Sequence, residues 1–250
     1  MRTLVAIPVY NEEHYVDRVM ARVLEFAERV LVIDDGSTDA TPCRLPSHPV
    51  EVIRHATNRG YGRSMQDAFR WAMVDGYDWV ITMDCDEQHE PESIPDFVRA
   101  AQADTHDVIS GSRYLNQLNG NDTPPENRRA INATLTKELN ERLGLNITDA
   151  FCGFKAYRVD ALRRLSLSED GYAFPMQFWV QAVAHNLRIT EIPIRLIYKD
   201  PKRTFGGPLN DDDTRLAYYR RVLERELTAN ADRLPESART TSWCSCCCKR

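Results

Sequence analysis

Asp84 and Asp86 stand one residue apart, directly after the apolar run Trp79 to Met83. A bend at that point lets one carboxylate reach a divalent cation while the other reaches a sugar or a bridging water, and hard oxygen donors of this kind suit Mg²⁺ or Mn²⁺. A cation held there would offset the charge that builds on a departing diphosphate. A second acidic cluster, Asp34-Asp35-Gly36-Ser37, ends the apolar run Arg29 to Ile33 in a turn composition rich in ligand oxygens. An isolated Asp-x-Asp is ordinarily a solvated turn, and an isolated Asp-Asp-Gly-Ser a capped one. Two acidic clusters at two strand ends fit a nucleotide and its cation better than two accidental turns.

The elements that must position these groups alternate along the chain. Thr3 to Val9 is a short apolar run, followed by helical spacing of Val16, Val19, Met20, Val23 and Leu24. Val50 to Ile53 is a third, weaker strand. Asn58-Arg59-Gly60-Tyr61-Gly62 then opens a helix carrying Met65, Ala68, Phe69, Ala72 and Met73. Pro91 and Glu92 suit a helix start, with Ile94, Phe97, Val98 and Ala101 on its buried side. Strands are also predicted over Asp107 to Ser110, within Asp149 to Arg158, and over Ile189 to Tyr198. Helices are predicted over Arg128 to Leu143, Tyr172 to His185 and Asp211 to Leu227. This alternation predicts an α/β fold with a mostly parallel central sheet flanked by helices and ligands beyond the strand carboxyl ends.

Whole-chain properties narrow the class. A chain of 250 residues fits one large α/β domain with a tail. We expect a nucleotide-binding part over about residues 1–115, an acceptor part over about 116–227, and a flexible Cys-rich tail over 228–250. The net charge of -5, from 32 basic and 37 acidic residues, gives no reason to expect a nucleic-acid partner. No window approaches the apolar length that spans a bilayer, and the amino terminus lacks a secretory pattern. The expectation is a cytoplasmic protein, with peripheral membrane contact open to it. Cys43, Cys85 and Cys152 are scattered while Cys244, Cys246, Cys247 and Cys248 crowd the end, so no disulfide framework is expected. The chain has no Gly-x-Gly-x-x-Gly after its first strand and no Gly-x4-Gly-Lys-Ser/Thr loop, which removes the fingerprints of dinucleotide and P-loop binding.

Taken jointly, several segments resemble family 2 glycosyltransferases, specifically the dolichyl-phosphate or polyprenyl-phosphate mannose or glucose synthase group. They run in order from Leu4 to about Phe205: Ile7-Pro8-Val9-Tyr10-Asn11-Glu12, Val32 to Asp39, Asn58 to Gly62, Met83 to Pro91, Ser110-Gly111-Ser112-Arg113-Tyr114, and Asp149-Ala150-Phe151-Cys152-Gly153-Phe154-Lys155. The resemblance implies a GT-A type nucleotide-diphospho-sugar transferase fold and inverting transfer of a hexose, mannose favoured, from a GDP- or UDP-sugar. It implies that Pro8, Tyr10, Glu12, Asp35 and Gly60 line the nucleoside pocket and that Asp84, Asp86 and Gln88 hold the metal and diphosphate. Arg113, one of Arg128 or Arg129, and Arg203 on a closing loop would meet acceptor or donor phosphate, where bidentate guanidinium groups offset the repulsion between two anions.

The acceptor is read two ways. A polyprenyl or dolichyl phosphate is already anionic and needs little help from a base. A hydroxyl on a glycan, lipid or small metabolite needs one. The candidate base is Asp170, in Ser168-Glu169-Asp170, for which a helix N-cap before Tyr172 is the plainer role. The chain departs from the synthase group in the loop after Arg203, which lacks its serine and lysine, and at Gln177, where a glutamate is frequent. A non-catalytic nucleotide-sugar binding protein is the reading of a different class. His89 is expected to support the metal-binding segment, Cys85 to fill space, and Trp71, Trp79 and Trp179 to be core or flank residues.

Overall fold

In the computed structural model, residues 1–116, 118, 120–123, 126–198 and 207–239 are described. Arg203, the loop around it and the Cys244 to Cys248 segment lie outside them. The elements in chain order are β1 (Thr3–Val9), α1 (Val16–Val23), β2 (Val30–Asp34), α2 (Thr41–Arg44), β3 (Glu51–Arg54), α3 (Tyr61–Val74), β4 (Trp79–Thr82), α4 (Ile94–Gln102), β5 (Val108–Ser112), α5 (Glu126–Leu143), β6 (Lys155–Arg158), α6 (Val159–Leu162), α7 (Phe174–Ala184), β7 (Ile189–Pro193) and α8 (Asp212–Ala229).

Among the described residues the strands form one 7-stranded sheet in the order β3-β2-β1-β4-β6-β5-β7. Every neighbouring pair is parallel except those made by β6, which runs antiparallel to both β4 and β5. Side chains alternate between faces along a strand, so β1 feeds two cores. Leu4 and Ala6 pack with Leu31, Ile33, Val80 and the inner sides of α3, α5, α7 and α8. Val5 and Ile7 pack with Val32, Ile81 and the apolar stripes of α1 and α4. Both faces of β2, β4 and β5 are buried, which is why those strands read as continuous apolar runs. Each fully buried aliphatic side chain contributes roughly 1.5–3 kcal/mol.

Two expectations need correction. Residues 228–239 do not belong to a loose tail: α8 continues to Ala229, and short 3-10 turns follow at Ala231–Arg233 and Glu236–Arg239. Leu234 and Ala238 are buried, and Arg142 of α5 donates to the Ala238 carbonyl at 3.0 Å while Ser237 Oγ donates to the Arg142 carbonyl at 2.9 Å. Two small apolar anchors in a polar stretch are enough to seat it. The strand expected over Ile189 to Tyr198 ends at Pro193. Beyond it the ladder gives way to mixed bonds: the Ile194 amide donates to the Ser112 carbonyl and the Asp122 amide to the Leu196 carbonyl, both at 2.9 Å, while the Leu196 and Tyr198 amides donate to Asn121 Oδ1 and Asp122 Oδ2 at 3.1 and 2.7 Å.

Candidate active site

The carboxyl ends of β1, β2 and β4 open onto a cleft of about 900 Å³. Pro8, Tyr10 and Glu12 reach it from the end of β1, Asp35 from β2, and Asp84, Asp86 and Gln88 from β4. The two aspartates one residue apart therefore share one cleft. Gly60 also borders it, with φ of 102°, a conformation that favours glycine. A Cβ at Gly60 would lie 2.4 Å from the Asp170 carbonyl oxygen, so this turn is pressed against the 169–171 segment.

Asp35 is anchored by three contacts to its two carboxylate oxygens and one from its amide. Oδ1 accepts from the Arg59 amide at 2.8 Å and lies 2.6 Å from His55 Nδ1, and Oδ2 accepts from the Gly60 amide at 2.8 Å. Its own amide donates to the Val9 carbonyl at 2.9 Å, tying β2 to β1. The next acidic segment is held from behind. The Asp84 amide donates to His89 Nδ1 at 3.0 Å, and Gln88 donates its amide to Asp86 Oδ1 at 3.1 Å. His89 is buried. Burial pushes its imidazole down to about 4, against the upward pull of Asp86 and with the downward push of Arg113 and Lys155, so at neutral pH it is an uncharged acceptor. Cys85 is buried in the core as expected, and Cys152, in the same core cluster, is a thiol that burial raises to about 11. Neither fits a nucleophile.

Basic side chains line the same cleft. Arg113 follows β5 and donates to Asp149 from Nε at 2.6 Å, from Nη2 at 2.9 Å and from its backbone amide at 3.2 Å. Asn132 of α5 adds a bond to Asp149 at 2.8 Å. Burial alone would raise the Asp149 carboxyl, yet the Arg113 guanidinium and the Asn132 amide hold it at about 2. Arg128 lies over the Tyr198 ring at 5.6 Å and lines the cleft, whereas Arg129 is exposed and does not. Lys155 of β6 and Arg215 of α8 line the cleft as well. The Lys155 ammonium donates to the Cys152 carbonyl and sits 5.4 Å from the Trp179 ring. Trp179 is therefore core and cleft wall at once.

Asp170 is placed elsewhere. It is exposed, does not line the cleft, and its Oδ1 accepts from Gln66 Nε2 at 3.2 Å. Nor does it cap α7, whose N-cap is Ala173 without a side-chain bond. Both roles expected of it are thus unsupported, because the segment turns its carboxylate toward α3. Gln177 is buried. Its carbonyl accepts from the Ser168 and Glu169 amides at 2.7 and 2.8 Å, and its amide donates to Glu226 Oε1 at 2.8 Å.

The family model of glycosyl transferase family 2 matches residues 4–166. The chain belongs to glycosyl transferase family 2. It is 32% identical over 213 residues to the undecaprenyl-phosphate mannosyltransferase of Micrococcus luteus, covering 80% of this chain and 85% of that protein. It is 30% identical over 204 residues to the polyprenol monophosphomannose synthase of Mycolicibacterium smegmatis, covering 77% and 76%. The fold matches that of glucosyl-3-phosphoglycerate synthase from Mycobacterium tuberculosis, solved with Mn²⁺, UDP-glucose and phosphoglyceric acid, with a TM-score of 0.67, 18% identity, and coverage of 94% of this chain and 81% of that one. The GT-A type α/β architecture expected from the sequence is therefore present, and the protein is a nucleotide-sugar glycosyltransferase rather than a mere binding protein.

Several residues of this family 2 enzyme that shape the cleft escaped the sequence reading. Lys155 and Gly153 are among the segments quoted above, but nothing local gave either a role. His55 had no signal at all. Among the described residues no three His, Cys, Asp or Glu side chains stand together as a preformed metal-binding group.

Proposed function

We propose that this glycosyltransferase moves a hexose from a GDP- or UDP-sugar onto a phosphate-bearing acceptor. The observation that carries this reading is that one cleft is lined both by carboxylates at the ends of β1, β2 and β4 (Glu12, Asp35, Asp84 and Asp86) and by four cations (Arg113, Arg128, Lys155 and Arg215).

Pro8, Tyr10, Glu12, Asp35 and Gly60 bind the nucleoside. Asp84, Asp86 and Gln88 hold Mg²⁺ or Mn²⁺, and the donor set fits such an ion. With few protein oxygens and no closed cage, the remaining positions suit phosphate oxygens and water, the usual arrangement for Mg²⁺ beside a nucleotide. When bound, the cation neutralises charge on the departing diphosphate. Arg113, fixed in orientation by Asp149, and Arg128 offset the negative charge that the acceptor brings toward the donor. Arg203 lies outside the described residues and is kept as a further phosphate ligand of this proposal.

Two acceptor forms follow from specific observations. A hydroxyl beside a phosphate, as in a phosphorylated metabolite, is supported by the whole-length fold likeness to a synthase whose structure contains phosphoglyceric acid. A polyprenyl phosphate, with mannose as the sugar, is supported by the names of the relatives at 32% and 30% identity. It is also supported by the cations Arg113, Arg128, Lys155 and Arg215 that line the cleft and suit an anionic acceptor. No helix among the described residues is long and apolar enough to cross a membrane, so a lipid acceptor would have to be met at a membrane surface.

The test supplies GDP- and UDP-sugars with Mg²⁺ or Mn²⁺, alone and with polyprenyl phosphate, phosphoglyceric acid or an uncharged glycan or polyprenyl alcohol, and follows release of nucleoside diphosphate. Turnover that depends on either acceptor supports the reading and identifies the form. Turnover only with uncharged hydroxyl acceptors overturns the anionic-acceptor claim.

A further inference from the structure

His55 closes the end of β3 and is only 8% exposed, yet both of its ring nitrogens face carboxylates. Nδ1 is 2.6 Å from Asp35 Oδ1 and Nε2 is 3.0 Å from Asp67 Oδ2. An ionised carboxylate has no hydrogen to give, so a bond to Asp35 takes its hydrogen from His55 Nδ1. Asp67 is in turn fixed on α3 by Arg63 Nε at 2.8 Å and Arg70 Nη1 at 3.1 Å. The side chains thus form a line: arginines, Asp67, His55, Asp35, and then the cleft.

The bonds to Asp35 are distributed unevenly. Oδ1 meets both His55 and the Arg59 amide, while among the described residues Oδ2 meets the Gly60 amide alone. A carboxylate oxygen accepts about two hydrogen bonds, so Oδ1 is filled and Oδ2 keeps the capacity to accept another. Asp35 lines the cleft and His55 does not.

We propose that His55 is a positioning residue for donor binding: it fixes the rotation of the Asp35 carboxylate so that Oδ2 accepts from an N–H or O–H of the nucleoside. The inference rests on the reading that Asp35 belongs to the nucleoside end of the cleft. Without the His55 bond, Asp35 turns about its side-chain torsions, and the ligand must then meet the cost of ordering it.

The two amide replacements of histidine separate this role from simple packing. In His55→Asn the side-chain nitrogen falls near the position of Nδ1, so it keeps a donor toward Asp35 and loses the one toward Asp67. In His55→Gln it falls near Nε2 and does the reverse. Binding of GDP and of UDP to the full chain in the presence of Mg²⁺ is measured by calorimetry, with thermal midpoints recorded for each protein. The expected result is that His55→Gln weakens the tighter-binding nucleotide by about tenfold or more, as for loss of one charge-assisted bond, while His55→Asn recovers most of that loss. In turnover the Gln variant raises KM for the donor sugar more than it lowers kcat. Equal affinity for wild type and both variants overturns the proposal, as does equal weakening in both that tracks their thermal midpoints. Absence of GDP and UDP binding by the wild type would instead remove the nucleoside-site reading, and this inference with it.

Discussion

The Asp84 carboxylate rests directly against the Cα of Gly153. A Cβ added at Gly153 would lie 2.6 Å from one Asp84 oxygen and 2.7 Å from the other. The glycine is held in place by its carbonyl, which accepts from Thr82 Oγ1 at 2.7 Å. The requirement is one of space beside the cleft, since the obstacle is the Asp84 carboxylate itself.

Gly153→Ala is therefore expected to displace Asp84 and to lower kcat on the order of a hundredfold, the scale of a misplacement near 1 Å. The thermal midpoint should change little, because the methyl group faces the cleft. Release of nucleoside diphosphate measures the first and a melting curve the second. A variant with full activity would show that Asp84 has no fixed position to lose.

Chelation of divalent cations should abolish turnover, and Mg²⁺ or Mn²⁺ should restore it. Asp86→Ala should raise the metal concentration needed for half-maximal rate by about tenfold or more. Metal titration of the initial rate checks both, and an unchanged metal requirement in the variant would remove Asp86 from the ligand set.

Asp149→Asn leaves the Arg113 guanidinium without its buried counter-charge and is expected to cost about 3–5 kcal/mol, read by denaturant unfolding. The same pair sets an acid limit. The folded-state value of Asp149 is about 2 against an ordinary 3.8, so its contribution is present above the ordinary value and is lost as pH falls through about 2. That contribution is about 2 kcal/mol. Unfolding measured between pH 5 and pH 2 should show this fall in the wild type and a smaller one in the variant.

Gln177→Glu places a carboxylate against Glu226 in a buried network and removes an amide donor. We expect a loss of about 3 kcal/mol, much of it recovered when Glu226→Gln is added. Additive effects in that double-mutant cycle would argue against direct coupling.

The strand ends were legible because each apolar run stops abruptly in acids, and such a change of pattern is local. The helices over Val16 to Val23 and Ile94 to Gln102 were legible from the spacing of their buried residues. What joins Gly153 to Asp84, or His55 to Asp35 and Asp67, is proximity created by the sheet, and no periodicity encodes it. Asp170 misled because a carboxylate beside a buried segment was read from its sequence neighbourhood, whereas its direction is decided by contact with Gln66 on α3. Leu234 and Ala238 were overlooked because a polar stretch needs only two apolar anchors to dock.

The reversed strand β6 has a further consequence. Each parallel strand presents the cleft with whatever comes after it, but β6 presents what comes before it, so Asp149, Gly153 and Lys155 arrive at the same rim as Asp84. The lead-in to β6 begins after α5 and ends in paired strand. Exchanging that short lead-in would therefore disturb Asp84 through Gly153 and Arg113 through Asp149 at once.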